Sequence, residues 1–196
     1  MVGIGNAIVD IIARCDDAFL SKHDLAKGFM RLIPAGEAGR LYEAMGPAIE
    51  RSGGSAANTI AGLASFGAKC GFIGRVAADQ FGGIFRHDIR SLGVAYDTPP
   101  ADEGEPTARC LIFVTPDGER TMNTFLGTSV HFAAADIDAS LIERGKHRLS
   151  RRLSVRPRRG EGGLQGGGAR LRGSPAPRLP SLCRMPFAST ATAPTF

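Results

Sequence analysis

Val2-Gly3-Ile4-Gly5-Asn6-Ala7-Ile8-Val9-Asp10-Ile11-Ile12 follows the initial methionine. The run is apolar and rich in β-branched residues, with no helical period, and it reads as a single short buried strand. Its two glycines let that strand approach another backbone or a ligand closely. A dinucleotide-binding turn needs glycine at the sixth position of Gly-x-Gly-x-x-Gly, where the backbone meets a pyrophosphate. Ile8 stands there, so a nicotinamide cofactor is excluded. Asn6 and Asp10 lie four positions apart, on one side of an extended chain. An ionised carboxylate accepts hydrogen bonds from hydroxyls, and a carboxamide both donates and accepts them. The pair suits a sugar diol; the plainer alternative is that Asn6 makes a turn and Asp10 caps a loop.

Working outward, residues 37–51 carry Leu41, Met45 and Ile49 at helical spacing and predict an amphipathic helix. Gly53-Gly54-Ser55-Ala56-Ala57-Asn58 then opens an Ala-rich helix that runs to about Phe66 and stops at Gly67. Glycines at a helix start expose backbone N–H groups, which favour anions and polar ligands, and Asn58 lies on the same first turn. The simpler alternative is an ordinary Gly-Ser helix start. No Gly-Lys-Ser/Thr follows, so this is not a Walker loop. Residues 70–76 predict a buried strand and residues 80–92 a helix with Ile84, Phe85, Ile89 and Leu92 on one face. Residues 108–115 and 120–126 are β-rich runs joined by Pro116-Asp117-Gly118-Glu119, a hairpin signal. Residues 136–144 predict a further helix behind an acidic cap. Strands alternating with helices indicate an α/β fold with a mostly parallel sheet. The hairpin is an addition to it, together with the polar stretch around residues 16–31. Asp79 reads as a helix cap, and His87 and His131 as surface residues.

The 196-residue chain carries a net charge of +5, which invites a nucleic-acid reading, but the charge is unevenly placed. From His147 onward ten arginines face the single Glu161, a net +9, which leaves −4 on residues 1–146. Residues 147–196 contain no Lys, Ile or Tyr and are broken by Gly-Gly-Leu-Gln-Gly-Gly-Gly and Pro-Ala-Pro-Arg-Leu-Pro. Such a segment buries too little apolar surface to offset its ordering entropy, and disorder is expected there. One reading is a basic arm that contacts phosphates. The favoured one is a frameshift just after Gly145, because Arg/Gly/Pro/Ala excess is what a GC-rich gene gives in the wrong frame. Codons for the stretch that begins at Lys146, shifted by one or two bases, can spell Ser-Ile-Val-Tyr-Leu-Glu-Gly-Tyr-Leu-Phe, an apolar strand. The cysteines Cys15, Cys70, Cys110 and Cys183 are far apart without a CxxC pair, and they read as reduced thiols. No run approaches the roughly 20 apolar residues of a membrane span. The opening lacks a basic secretory n-region, and a cytoplasmic location is expected.

Four stretches in this order and spacing resemble the ribokinase-like (PfkB) family of carbohydrate and nucleoside kinases, in its adenosine-kinase-like branch. They are Gly3 to Asp10, Gly53 to Thr59, Phe72-Ile-Gly-Arg-Val-Ala-Ala-Asp-Gln-Phe-Gly82, and Pro106 to Gly127 with its Thr-Pro-Asp-Gly-Glu-Arg-Thr turn. The resemblance covers about 140 residues. It implies a three-layer sandwich with a mostly parallel sheet and a small β lid, truncated here, with residues 1–146 forming its substrate side. It implies that Asn6 and Asp10 hold ribose or sugar hydroxyls and that Gly53, Gly54, Ser55 and Asn58 line the same pocket. The lid would come from residues 16–31 and the hairpin, and Arg120 would reach the transferred phosphate. ATP and Mg²⁺ are the implied cofactors, and in-line transfer to a 5′-type hydroxyl the implied reaction. The chain departs from the family in two places. Val76-Ala77-Ala78-Asp79 replaces Val-Gly-x-Asp, and the Gly-Ala-Gly-Asp-type loop with the catalytic base appears nowhere. The expected chain is therefore an inactive substrate-side half with a sugar or nucleoside as its small-molecule partner and with no membrane or nucleic-acid partner. The alternative is a non-catalytic binding module whose basic tail holds nucleic acid.

Overall fold

The computed structural model describes residues 1–145 and 147–151. Two sheets make up the frame. In chain order the elements are β1 (Val2–Gly5), β2 (Ile8–Arg14), α1 (Asp17–Lys22), β3 (Met30–Leu32), α2 (Ala35–Ala44), β4 (Ala48–Gly53) and α3 (Ser55–Ser65). They continue with β5 (Cys70–Ile73), α4 (Gln80–Ser91), β6 (Val94–Ala95), β7 (Ala108–Val114), β8 (Arg120–Phe125), α5 (Ala139–Arg144) and β9 (Arg148–Arg151). The first sheet has the order β6-β5-β1-β9, and every pairing in it is parallel. The second has the order β3-β8-β7-β2-β4 and mixes parallel and antiparallel pairs. No described helix is long and apolar enough to cross a membrane.

The opening stretch is two strands rather than one. β1 pairs with β5 and β9, whereas β2 pairs with β4 and β7, so the chain changes sheets at Asn6 and Ala7. Hydropathy could not reveal this, because both strands are buried and equally apolar. The helix expected over residues 37–51 is also divided. α2 ends at Ala44, Met45 turns extended (φ −75°, ψ 149°), and Pro47 offers no amide to continue the helix. Residues 48–53 instead run antiparallel to β2, with Ile8 opposite Gly53 and Asp10 opposite Arg51. The remaining expected helices and the hairpin are present near their expected bounds, with α4 capped by Asp79 (Gly82 amide to Oδ1, 2.8 Å). In the hairpin, Gly118 takes a left-handed φ of 87° and its amide donates to the Thr115 carbonyl at 2.8 Å. That conformation is nearly free only for glycine.

The boundary expected at residue 147 falls too early. β9 lies parallel to β1 with Val2 opposite Arg148, so these residues are strand and not a disordered tail. Residues 152–196, with Cys183, lie outside the described residues.

The core fills the space between sheets and helices. Phe72, Phe85 and Tyr96 pack ring against ring, with centroids 5.9 Å (Phe72–Phe85) and 5.3 Å (Phe85–Tyr96) apart. The Tyr96 hydroxyl, deep in this cluster, donates to the Gly74 carbonyl at 2.7 Å, which offsets the cost of burying a polar group. Val9, Ile11, Leu111 and Phe113 continue the core from β2 and β7. The opposite face of those strands is left to form the site.

Candidate functional site

Side chains alternate along β2, so Val9 and Ile11 face the core while Ile8 and Asp10 face outward. The same alternation on β7 turns Cys110 and Ile112, and on β8 Met122 and Thr124, to that outer face. With Met30 of β3 they floor a cleft of about 340 Å³. Asn6, at the change of sheets, and Gly54, Ser55 and Asn58, at the start of α3, close its other side. The volume lies at the lower end of the range usual for small-molecule sites. A larger open groove of about 770 Å³ at the far end of the same sheet is lined by Ile12, Ile49, Val114, Pro47 and Pro116 among others, and holds no carboxylate. Chemistry, not size, singles out the smaller cleft.

Five of the six residues expected to hold ligand, Asn6, Asp10, Gly54, Ser55 and Asn58, line the cleft together. Gly53 contributes by close approach: a β-carbon on it would run into the Asp10 carboxylate. Gly54 has φ 96°, and a β-carbon there would lie 2.5 Å from the Asn6 carbonyl oxygen. Both positions thus require glycine, the second on conformational grounds as well. No side chain caps α3, whose first turn opens beside the cleft.

Asp10 is the distinctive group. No hydrogen bond or ion pair reaches its carboxylate among the described residues, and burial raises its pKa from 3.8 to about 6. Cys110, beside it, accepts a hydrogen bond from Thr124 Oγ1 at 3.1 Å, and burial pushes its thiol up to about 11. An unpaired, desolvated carboxylate is held at a cost. Hydroxyl donors from a ligand would remove that cost.

One sequence-derived expectation needs revision, at Asp136, and two others gain a position in the fold. Arg120 stands at the turn end of β8, exposed and opposite Val114, and is not part of the cleft lining. The Asp16–Arg31 region joins the hairpin, with β3 paired to β8 and α1 packing Phe19 on Phe113. Lys27 Nζ bridges Asp17 Oδ1 and Asp117 Oδ2, each at 2.7 Å. Asp136 starts no helix: it lies in a 3₁₀ turn and pairs with Arg75 at 3.0 Å, while Asp138 caps α5. The capping reading of Asp79 stands, and it also accepts from the Thr107 amide (2.8 Å) and hydroxyl (2.6 Å). His87 is exposed. The apolar floor of Ile8, Met30, Ile112 and Met122 was not singled out in the sequence. Its signal is the period of two along the hairpin, which becomes informative only once the strand faces are known.

The family described as pfkB family carbohydrate kinase matches residues 48–150. The chain is 53% identical to the adenosine kinase of Sinorhizobium meliloti, with a TM-score of 0.69 over 76% of this chain and 46% of that one. It is 52% identical to a probable sugar kinase from Rhizobium etli CFN 42, at the same TM-score, over 76% of this chain and 45% of that one. It is also 31% identical to the fructokinase of Escherichia coli over 121 residues, 61% of this chain and 39% of the relative. The chain therefore spans less than half the length of each.

Proposed function

The chain belongs to the pfkB family of carbohydrate kinases, and on that footing we propose that its cleft holds the vicinal hydroxyls of a ribose-type sugar, preferentially as part of a nucleoside. The observation that carries this is the unpaired Asp10 carboxylate, sealed by Gly53 and open to the cleft. Asp10 accepts hydrogen bonds from two hydroxyls and Asn6 adds a polar contact, which fixes the sugar's orientation. Beside them on the same sheet face, Ile8, Met30, Ile112 and Met122 offer an apolar surface suited to a heteroaromatic base. A free hexose would leave that surface in water.

Membership of the family implies ATP and Mg²⁺, which would supply the phosphoryl group and neutralise its charge. Among the described residues no group of three or more His, Cys, Asp or Glu gathers to hold a metal ion, and the sequence contains no Gly-x-Gly-Asp stretch. Because Mg²⁺ is usually held by one or two carboxylates together with the nucleotide's phosphates, it is the missing Gly-x-Gly-Asp stretch that bears on the chemistry. The share of the chemistry assigned to this chain is binding and orienting the acceptor sugar, with no phosphoryl transfer of its own.

Calorimetric titration with adenosine, ribose and fructose tests the reading. Adenosine should bind, the free sugars more weakly by tenfold or more, and Asp10→Ala should abolish binding. Fructose binding without adenosine binding would reverse the substrate assignment. ATP turnover above background from the purified chain would overturn the assignment of a binding role alone.

A further inference from the structure

Gly53 and Gly54 close on Asp10 and Asn6 only while the end of β4 keeps its place, and among the described residues β4 is an edge strand paired with β2 alone. Edge strands tend to fray. Its residues Ala48, Ile49 and Arg51 are exposed, yet Gly53 is buried. A carboxylate from α4 accounts for the difference. Asp88, 8% exposed, accepts from the Ser52 amide at 2.7 Å, from the Ser52 hydroxyl at 2.7 Å and from Arg51 Nη1 at 3.1 Å. The Ser52 amide thus finds in Asp88 the partner that a further strand would have supplied. Burial alone would raise the Asp88 pKa, but the Ser52 hydroxyl and amide and the Arg51 charge outweigh it and the net shift is downward.

We propose that Asp88 is a positioning residue: by anchoring Ser52 it holds the adjoining Gly53 against the Asp10 carboxylate and keeps water from it. This rests on the reading of Asp10 as the group that holds the ligand. Neither Asp88 nor Ser52 lines the cleft, so their influence passes through the backbone of β4.

The test is the titration of the Asp10 carboxyl by carbon-detected NMR in the full chain, with no ligand present. Asp88→Asn should lower the Asp10 midpoint by about one pH unit or more towards the ordinary carboxylate value. Ser52→Ala, which leaves the Asp88 charge in place, should lower it by a smaller but measurable amount. Asp79→Asn is the control, because Asp79 also accepts three hydrogen bonds at the start of α4 but from Gly82 and Thr107 and none from β4. It should lower Tm and leave Asp10 unmoved. A shift with Asp88→Asn but none with Ser52→Ala would be a through-space charge effect and would overturn the proposal. So would an unmoved Asp10 in both, or an equal shift in the control. Should Asp88→Asn fail to fold, Ser52→Ala still decides. Failure of any sugar or nucleoside to bind would sink the proposed function without altering this outcome.

Discussion

Asp10 pits stability against binding. Its folded pKa of about 6 exceeds the ordinary 3.8, so the folded chain holds this proton more tightly than the unfolded one. The protein accordingly loses stability as pH rises from about 4 to about 6, by up to roughly 3 kcal/mol at about 1.4 kcal/mol per unit. Asp10→Asn should raise Tm at pH 7.5 while eliminating ligand binding, and the gain in Tm should vanish near pH 4. Thermal unfolding at both pH values checks it, and a lower Tm for the variant at pH 7.5 would contradict it. For the wild type, hydroxyl donors require the ionised form. Affinity should therefore be full above about pH 6 and fall about tenfold per unit below it, with a proton released on binding near pH 6. A flat affinity between pH 5 and 7.5 would refute this. The residue types of the site were legible in the sequence: a carboxylate and a carboxamide on one side of an extended run, and two glycines before a helix. The burial of Asp10 was not, because it depends on Gly53 arriving from a distant strand.

Among the elements, those whose boundaries are written in single residues were readable. Asp79 starts α4, Gly67 (φ 82°) follows α3, and Gly118 turns the hairpin. Two boundaries were missed for opposite reasons. β1 and β2 merge in sequence because the apolar run resumes at Ala7 directly after Gly5-Asn6, the turn-favouring pair that carried the contrary signal. β4 was absorbed into α2 because Ile49 continues the helical spacing, although it is 60% exposed in the fold. Pro47 carried the contrary signal, since the residue before a proline disfavours helix. The start of α3 yields a prediction at this scale. Gly54→Ala places a β-carbon against the Asn6 carbonyl at φ 96°. It should cost on the order of 1–3 kcal/mol in stability and weaken ligand binding, whereas Gly62→Ala on the same helix, where a β-carbon meets nothing within 4 Å, should be neutral or stabilising. Denaturant unfolding of the two variants compares them directly; equal midpoints would refute the close-approach argument.

For the whole molecule, the pattern of charge marks a discontinuity that the fold sharpens. Strands of a parallel sheet are covered on both faces and usually apolar throughout. β1 and β5 obey this, but β9 reads Arg148-Leu149-Ser150-Arg151, with one apolar residue in four. β9 is the end strand of its sheet among the described residues, with Arg148 and Ser150 exposed and Leu149 half-buried, so it lacks the covering layers and the apolar run that a strand in such a sheet usually has. This supports the proposed change of reading frame after Gly145. Sequencing the gene from that codon onward should show one base gained or lost, with the shifted frame spelling an apolar strand and, further on, a Gly-x-Gly-Asp stretch. An intact frame with no such continuation would make the basic segment genuine, and salt-dependent RNA binding abolished by deleting residues 152–196 would become the expected result.

Asn6 and Ala7 carry the chain from the first sheet to the second, and at Gly53 and Gly54 it leaves the second sheet for α3; these are two of the four passages between the sheets among the described residues. Asn6 and Gly54, one from each passage, also line the cleft. The width of the cleft is therefore set by the spacing between the end of β2 and the start of α3. A molecule bridging Asp10 and that helix start should act as a brace, tying the second sheet to the helix beside it.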